Sequence, residues 1–81
     1  MVAKYNNPIT QKVYEIILPL LGDIMTQNVL KIQAKKLGKT EEELTYENLP
    51  KLAESLKNGL MVFLGSEGAN SLAHKVLNIN K

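Results

Sequence analysis

The chain has no arginine, no cysteine and no tryptophan, and it carries a single histidine, His74, and a single aspartate, Asp23. Each absence removes a class of chemistry. Without cysteine there is no disulfide framework, no thiol nucleophile and no thiolate metal site. His74 has no second histidine to join it as a metal ligand, and Asn70 and Asn78, one turn to either side, are poor ligands. Without arginine the chain lacks the rigid bidentate fork that reads phosphate and guanine. An AT-rich coding sequence, which the abundance of Asn, Lys and Ile suggests, would also deplete arginine. That absence alone therefore does not exclude phosphate binding. Eight asparagines argue against a hyperthermophilic origin.

Long apolar runs are missing too. The longest, Leu60 to Leu64, is far short of a membrane span. The opening residues, Met1 to Pro8, contain no apolar segment of the kind that directs secretion. A cytoplasmic location is the expectation by elimination.

The 81 residues that remain to be explained are 44% hydrophobic and 22% charged, with a formal charge of +2. They fit one small globular domain. A chain this short buries only about 60% of the surface its unfolded form exposes, so its stability depends on close packing or on a partner. The small net charge predicts no strong non-specific pull toward nucleic acid or anionic membrane.

Punctuation along the chain is helical. Residues 1–6 read as a loose tail before a single domain spanning 7–81. Asn7-Pro8 reads as a cap followed by a first-turn proline. Ile9, Val13, Ile16, Ile17, Leu20, Leu21, Ile24 and Met25 then recur at spacings of three and four. Pro19 interrupts this stripe, but the phase continues across it, so residues 8–37 are expected as one helix kinked at Pro19 or two meeting there. Val29, Ile32 and Leu37 extend the stripe to Gly38, a good residue just past a helix end, with Lys35, Lys36 and Lys39 suited to the dipole there.

Thr40-Glu41-Glu42-Glu43 fits a capping box opening a short turn that ends near Thr45. Asn48-Leu49-Pro50 starts the next helix, with Asn48 as the expected cap. Leu49, Leu52, Ala53, Leu56, Leu60, Phe63 and Leu64 form its stripe. Gly59 within it costs roughly 1 kcal/mol against Ala unless it permits a close helix approach. Gly65 ends the helix, Ser66 caps the last one, and Ala69, Leu72, Ala73, Val76 and Leu77 form the final stripe. No alternating β-branched run suggests a strand. The expected fold is all-α, a bundle of about four helices plus one short turn.

The apparent chemical motifs have structural explanations. Gly38-Lys39-Thr40 looks like the end of a phosphate-binding loop, but the required upstream glycine is Gln33 and no strand precedes it. Gly65-Ser66-Glu67-Gly68 is a glycine-bearing turn that helix punctuation explains. No strained turn surrounds Ser66, so Ser66, His74 and Asp23 make no credible triad. The carboxylates of Glu41, Glu42 and Glu43 are consecutive and diverge, and a negative helix start is favourable without a cation. Lys31, Lys35 and Lys39 form a possible basic ridge that more simply is a solvated face.

Three functions remain. The first is a non-enzymatic protein-interaction or oligomerisation module with no cofactor. The apolar stripes are wide for so short a chain, with surplus around Val29, Leu30 and Ile32 and around Leu60 to Leu64. The candidate surface is Leu21, Met25, Met61 and Phe63, meeting a protein partner or a second copy. The second is a helix-turn-helix made from residues 49–64 and 67–78, with Asn70, His74 and Lys75 facing nucleic acid. Its details fit poorly. Met61 occupies a position that should be small, Ser71 one that should be apolar, and no arginine supports the second helix. The third is an apolar ligand pocket lined by Tyr14, Met25, Met61 and Phe63, which ordinary core packing explains better.

Overall fold

Asn7 starts the first helix as its composition requires. Its side-chain oxygen accepts from the Ile9 N–H at 2.9 Å, and Pro8 occupies the first turn where no N–H is needed. In this computed structural model, which describes residues 4–79, α1 spans Pro8–Leu21 and α2 spans Asp23–Lys36. Two 3-10 turns follow, Glu41–Glu43 and Tyr46–Asn48, and then α3, Leu49–Leu77. Gly65 breaks α3 with φ 73° and ψ 169°, leaving two arms, residues 49–64 and 66–77. The protein is all-α, and no strand occurs among the described residues.

The first break does not fall at Pro19. α1 runs through Pro19 without interruption, and Pro19 lies with Glu15, whose carbonyl loses its donor, on the exposed face of the helix. The chain turns instead at Gly22, whose φ of 82° and ψ of 170° are accessible essentially to glycine alone. Gly22 serves both helices at once. Its N–H donates to the Leu18 carbonyl at 2.9 Å, and its carbonyl accepts from the Thr26 N–H at 3.0 Å. Gly65 has nearly the same dihedrals. The molecule therefore contains two one-residue elbows of one design.

Other boundaries follow their local chemistry. Past α2, the Lys39 N–H donates to the Ala34 carbonyl and the Gly38 N–H to the Lys35 carbonyl, the paired bonds of a Schellman ending, with Gly38 at φ 74°. The capping box at Thr40 is present, and the Thr40 N–H donates to Glu43 Oε1 at 2.7 Å. Asn48 does not cap α3. Its Oδ1 accepts from the Thr45 N–H at 2.9 Å and so closes the second 3-10 turn. Nor does Ser66 cap the second arm, since Gly65 already occupies the non-helical position before it and no Ser66 side-chain bond is formed.

Contacts between elements fix the direction of each helix. Thr10 Oγ1 donates to the Glu41 carbonyl, and Asn7 Nδ2 to the Glu42 and Leu44 carbonyls at 3.0 and 2.8 Å. The loop after α2 therefore lies at the start of α1, and α2 runs antiparallel to it. The first arm of α3 leaves from that loop. Its Ser55 hydroxyl bonds the buried Gln33 side chain near the end of α2, so this arm runs back antiparallel to α2. Pro50, Ala53 and Asn58 line one hollow with Leu77, Ala73 and Asn70, so the two arms are antiparallel as well. All four helical rods alternate in direction. Both elbows, Gly22 and Gly65, fall at one end of the bundle, and the 3-10 turns fall at the other.

The core lies between the rods: Val13, Ile17, Leu30, Ala34, Leu44, Leu52, Leu56, Leu72 and Val76 are essentially inaccessible. The Cα radius of gyration, 11.4 Å, matches the roughly 12 Å expected for a folded chain of this length. The total surface, 5102 Å², is close to the roughly 4,900 Å² expected of a monomer of this mass. The bundle thus closes its core without a partner.

Residues 4–6, read from sequence as loose tail, are tied down. The Lys4 and Tyr5 N–H groups donate to Gln11 Oε1 at 2.9 and 3.0 Å, and the Tyr5 ring meets Tyr14 edge-on at 5.6 Å. Residues 1–3 and 80–81 lie outside the described residues.

Candidate functional site: an apolar end at the two elbows

The buried face of α2 is Thr26, Leu30, Gln33 and Ala34. Two of these are polar and are satisfied inside the fold. Thr26 Oγ1 donates to the Gly22 carbonyl at 2.6 Å, and Gln33 Oε1 accepts from Ser55. Three large apolar side chains of α2 fall elsewhere. The elbow resets the helical phase, so Ile24, Met25 and Ile32 point outward although they continue the stripe of α1 in sequence.

Exposure of apolar surface is concentrated at the elbow end. Leu20 is 50% exposed, Ile24 74%, Met25 41%, Val62 91% and Phe63 66%. Leu20, Ile24 and Met25 flank Gly22, and Val62 and Phe63 precede Gly65. Helical spacing links the two groups. Met25, Val29 and Gln33 share one line of α2, and Ser55, Gly59 and Phe63 share one line of the first arm. Gln33 meets Ser55, and a Cβ on Gly59 would stand 3.4 Å from Gln33 Nε2. The two lines therefore meet along the α2–α3 seam, and they emerge at the elbow end as Met25 and Phe63.

Charge is sparse at this end, where the carboxylates of Asp23 and Glu67 lie exposed beside the two elbows. Residues 16–22, 24–30 and 58–66 contain no Asp, Glu, Lys or Arg. The one charge at the first elbow, Asp23, is occupied within the fold. Its Oδ1 accepts from the Tyr14 hydroxyl at 2.5 Å and from Gln27 Nε2 at 2.8 Å, with Lys4 Nζ at 3.6 Å. The Tyr14 and then the Gln27 bond hold the Asp23 carboxyl below its usual range. The same bond to Asp23, with burial, raises the Tyr14 phenol to about 12.

Of the four surface residues expected from sequence, Met25 and Phe63 lie on this exposed end, while Leu21 and Met61 are half-buried. Leu20, Ile24 and Val62 were not predicted. The pairing of a glycine with a following helix-starting residue, Gly22-Asp23 and Gly65-Ser66, is the signal that marks their location.

The other candidate residues are dispersed. Lys31 and Lys35 lie exposed on α2, but Lys39 is half-buried beyond the helix end, so the three make no continuous ridge. Asn70 and His74 line a hollow of about 500 Å³ with Pro50, Ala53, Glu54 and Lys57. Lys75 lines a different hollow with Lys12, Glu15 and Ile16. The expected nucleic-acid face is thus split between two sides of the last arm. Tyr14 is buried, and none of Tyr14, Met25, Met61 or Phe63 lines either of these two hollows.

The carboxylates of the acidic turn are turned to structural use. Glu42 accepts from the Asn7 N–H at 2.9 Å, and the bond from Thr40 holds the Glu43 carboxyl below its usual range. Among the described residues no cluster of three His, Asp or Glu side chains is arranged to hold a metal, and no helix is long and apolar enough to cross a membrane. Comparison with known protein families, with curated proteins and with solved structures finds no match to this chain.

Proposed function

We propose that the protein is a non-enzymatic helical interaction module that binds a protein surface through its elbow end. The observation that carries this reading is the placement of five large, exposed apolar side chains, Leu20, Ile24, Met25, Val62 and Phe63, beside the two elbows. Ile24, Val62 and Phe63 are each mostly exposed, and large apolar side chains gathered at one end of a small protein are characteristic of interaction sites. The core is complete without them, so folding does not explain their presence.

A photo-crosslinking residue placed at position 63, with position 58 as control, tests the assignment in cells producing the full chain. Phe63 lies on the elbow end, and Asn58 lines the hollow between the arms. The expected result is a discrete adduct from position 63 that Ile24→Lys abolishes, and none from position 58. Equal yields at both positions, or no adduct at either, overturns the reading.

A further inference from the structure

We infer that the hollow between the two arms of α3 binds a small zwitterion with an apolar tail, of the class of the aliphatic α-amino acids. This site is separate from the elbow end and does not rest on the reading of that end.

Size and floor come first. The hollow holds about 500 Å³, within the roughly 300–1,000 Å³ of small-molecule sites. Ala53 and Ala73, both buried, form its floor. Alanine at both positions leaves space between the arms that longer side chains would fill. Both arms start from Gly65, so sequence order along them sets position along the hollow. Asn58 and Asn70 lie toward the elbow, and Pro50 and Leu77 lie farthest from it. Pro50 and Lys57 are two turns apart, about 10 Å along the axis. One end of the hollow is therefore polar and the other apolar.

Charge names the ligand. Glu54 and Lys57 line the same wall one turn apart, about 4.5 Å along the axis. Neither forms an ion pair with the other or with any other side chain among the described residues. An aliphatic α-amino acid matches this order. Its ammonium meets Glu54, its carboxylate meets Lys57 with the Asn70 amide as a second donor, and its side chain lies over the alanines toward Pro50 and Leu77. A simple acid would set its carboxylate against Glu54, and a simple amine would set its ammonium against Lys57. Each leaves one charge of the site unmatched, which disfavours both against the zwitterion.

The test is titration of the labelled full chain with L-leucine up to about 50 mM, a range suited to a ligand of so few atoms. Heteronuclear spectra should show saturable shifts at the amides of Glu54, Lys57, Asn70 and His74. 4-Methylpentanoate, which lacks the ammonium, and 3-methylbutylamine, which lacks the carboxylate, should bind about threefold to tenfold more weakly. Glu54→Gln and Lys57→Gln should keep the helical spectrum and weaken leucine binding by a similar factor. Lys51→Gln, exposed on the same arm outside the hollow, should bind leucine like the parent. The absence of saturable shifts in the hollow, an acid or amine that binds the parent as tightly as leucine, or full affinity in both Gln variants overturns the proposal. Each of these results leaves the crosslinking test of the elbow end unaffected.

Discussion

Replacing Gly22 or Gly65 by alanine should destabilise the fold, although neither change creates a clash. A Cβ added at either position meets no atom within 4 Å. The whole cost lies in the backbone, because φ of 82° with ψ of 170° at Gly22, and 73° with 169° at Gly65, are conformations that L side chains avoid. Strain of this kind costs about 1–3 kcal/mol per residue. The lower entropy of the unfolded alanine chain offsets about 0.4–1 kcal/mol of it. The net loss is then roughly 1–2 kcal/mol at each elbow, or a Tm lower by about 5–15 °C for a domain of this size. Gly59→Ala supplies the opposite sign. It sits inside a helix at an ordinary φ, where a Cβ makes a normal 3.4 Å contact with Gln33, and alanine should stabilise by up to about 1 kcal/mol. D-alanine separates strain from every other cause, because the elbow conformation is the mirror image of an ordinary extended one. Chemical synthesis of the chain with D-alanine at position 22 should give a protein at least as stable as the parent. The assay is urea and thermal unfolding followed by circular dichroism. If D-alanine and L-alanine at position 22 cost the same, the elbow reasoning is wrong.

Leu30→Ala removes a fully buried side chain and should cost about 2–5 kcal/mol. Ile24→Ala, at a mostly exposed site, should change stability by less than about 0.5 kcal/mol; comparable losses in denaturant titrations would contradict the phase assigned to α2. Asn7→Ala removes both a helix cap and the side-chain donor to the Glu42 and Leu44 carbonyls, and should cost about 2–3 kcal/mol by the same titration. Asn7→Asp keeps the cap and should recover part of that loss. Asp23 has its pKa lowered by folding, so its contribution is present above the ordinary carboxylate range and disappears as pH falls through that range and below. Tyr14 has its pKa raised to about 12 from 10.0, so its contribution is present below pH 10 and is lost as pH rises toward 12. Ultraviolet titration of the phenolates should show a tyrosine ionising near pH 12 that is absent from Tyr14→Phe, while Tyr5, which burial and the nearby carboxylates raise, still ionises later than an ordinary phenol.

Helix boundaries were legible wherever a side chain or glycine announces them locally. Asn7-Pro8, the Schellman glycine Gly38 and the Thr40–Glu43 box all stand where local chemistry places them. Long-range uses of the same residue types were not legible. Asn48 looks like a cap but turns back to Thr45, because the 3-10 turn offers it a nearer donor. The phase of α2 was misread for a more general reason. Apolar periodicity shows the buried face only if the helix is continuous and the face is apolar. Gly22 breaks the first condition. Thr26 and Gln33 break the second, since the Gly22 carbonyl and Ser55 make their burial favourable. The elbow end was half visible for the same reason. Met25 and Phe63 stood out as surplus apolar residues, but Leu20, Ile24 and Val62 join them only once both glycines place their flanks at one end.

The reading of the elbow end as an interaction surface is tested most directly by where other proteins touch the chain. Photo-crosslinking residues placed one at a time in the full chain, in cells, report this position by position. Adducts should form from positions 20, 24, 62 and 63, which hold exposed apolar residues, and not from 58, 70 or 74, which line the hollow between the arms. Adducts confined to that hollow, or none at any position, would contradict it.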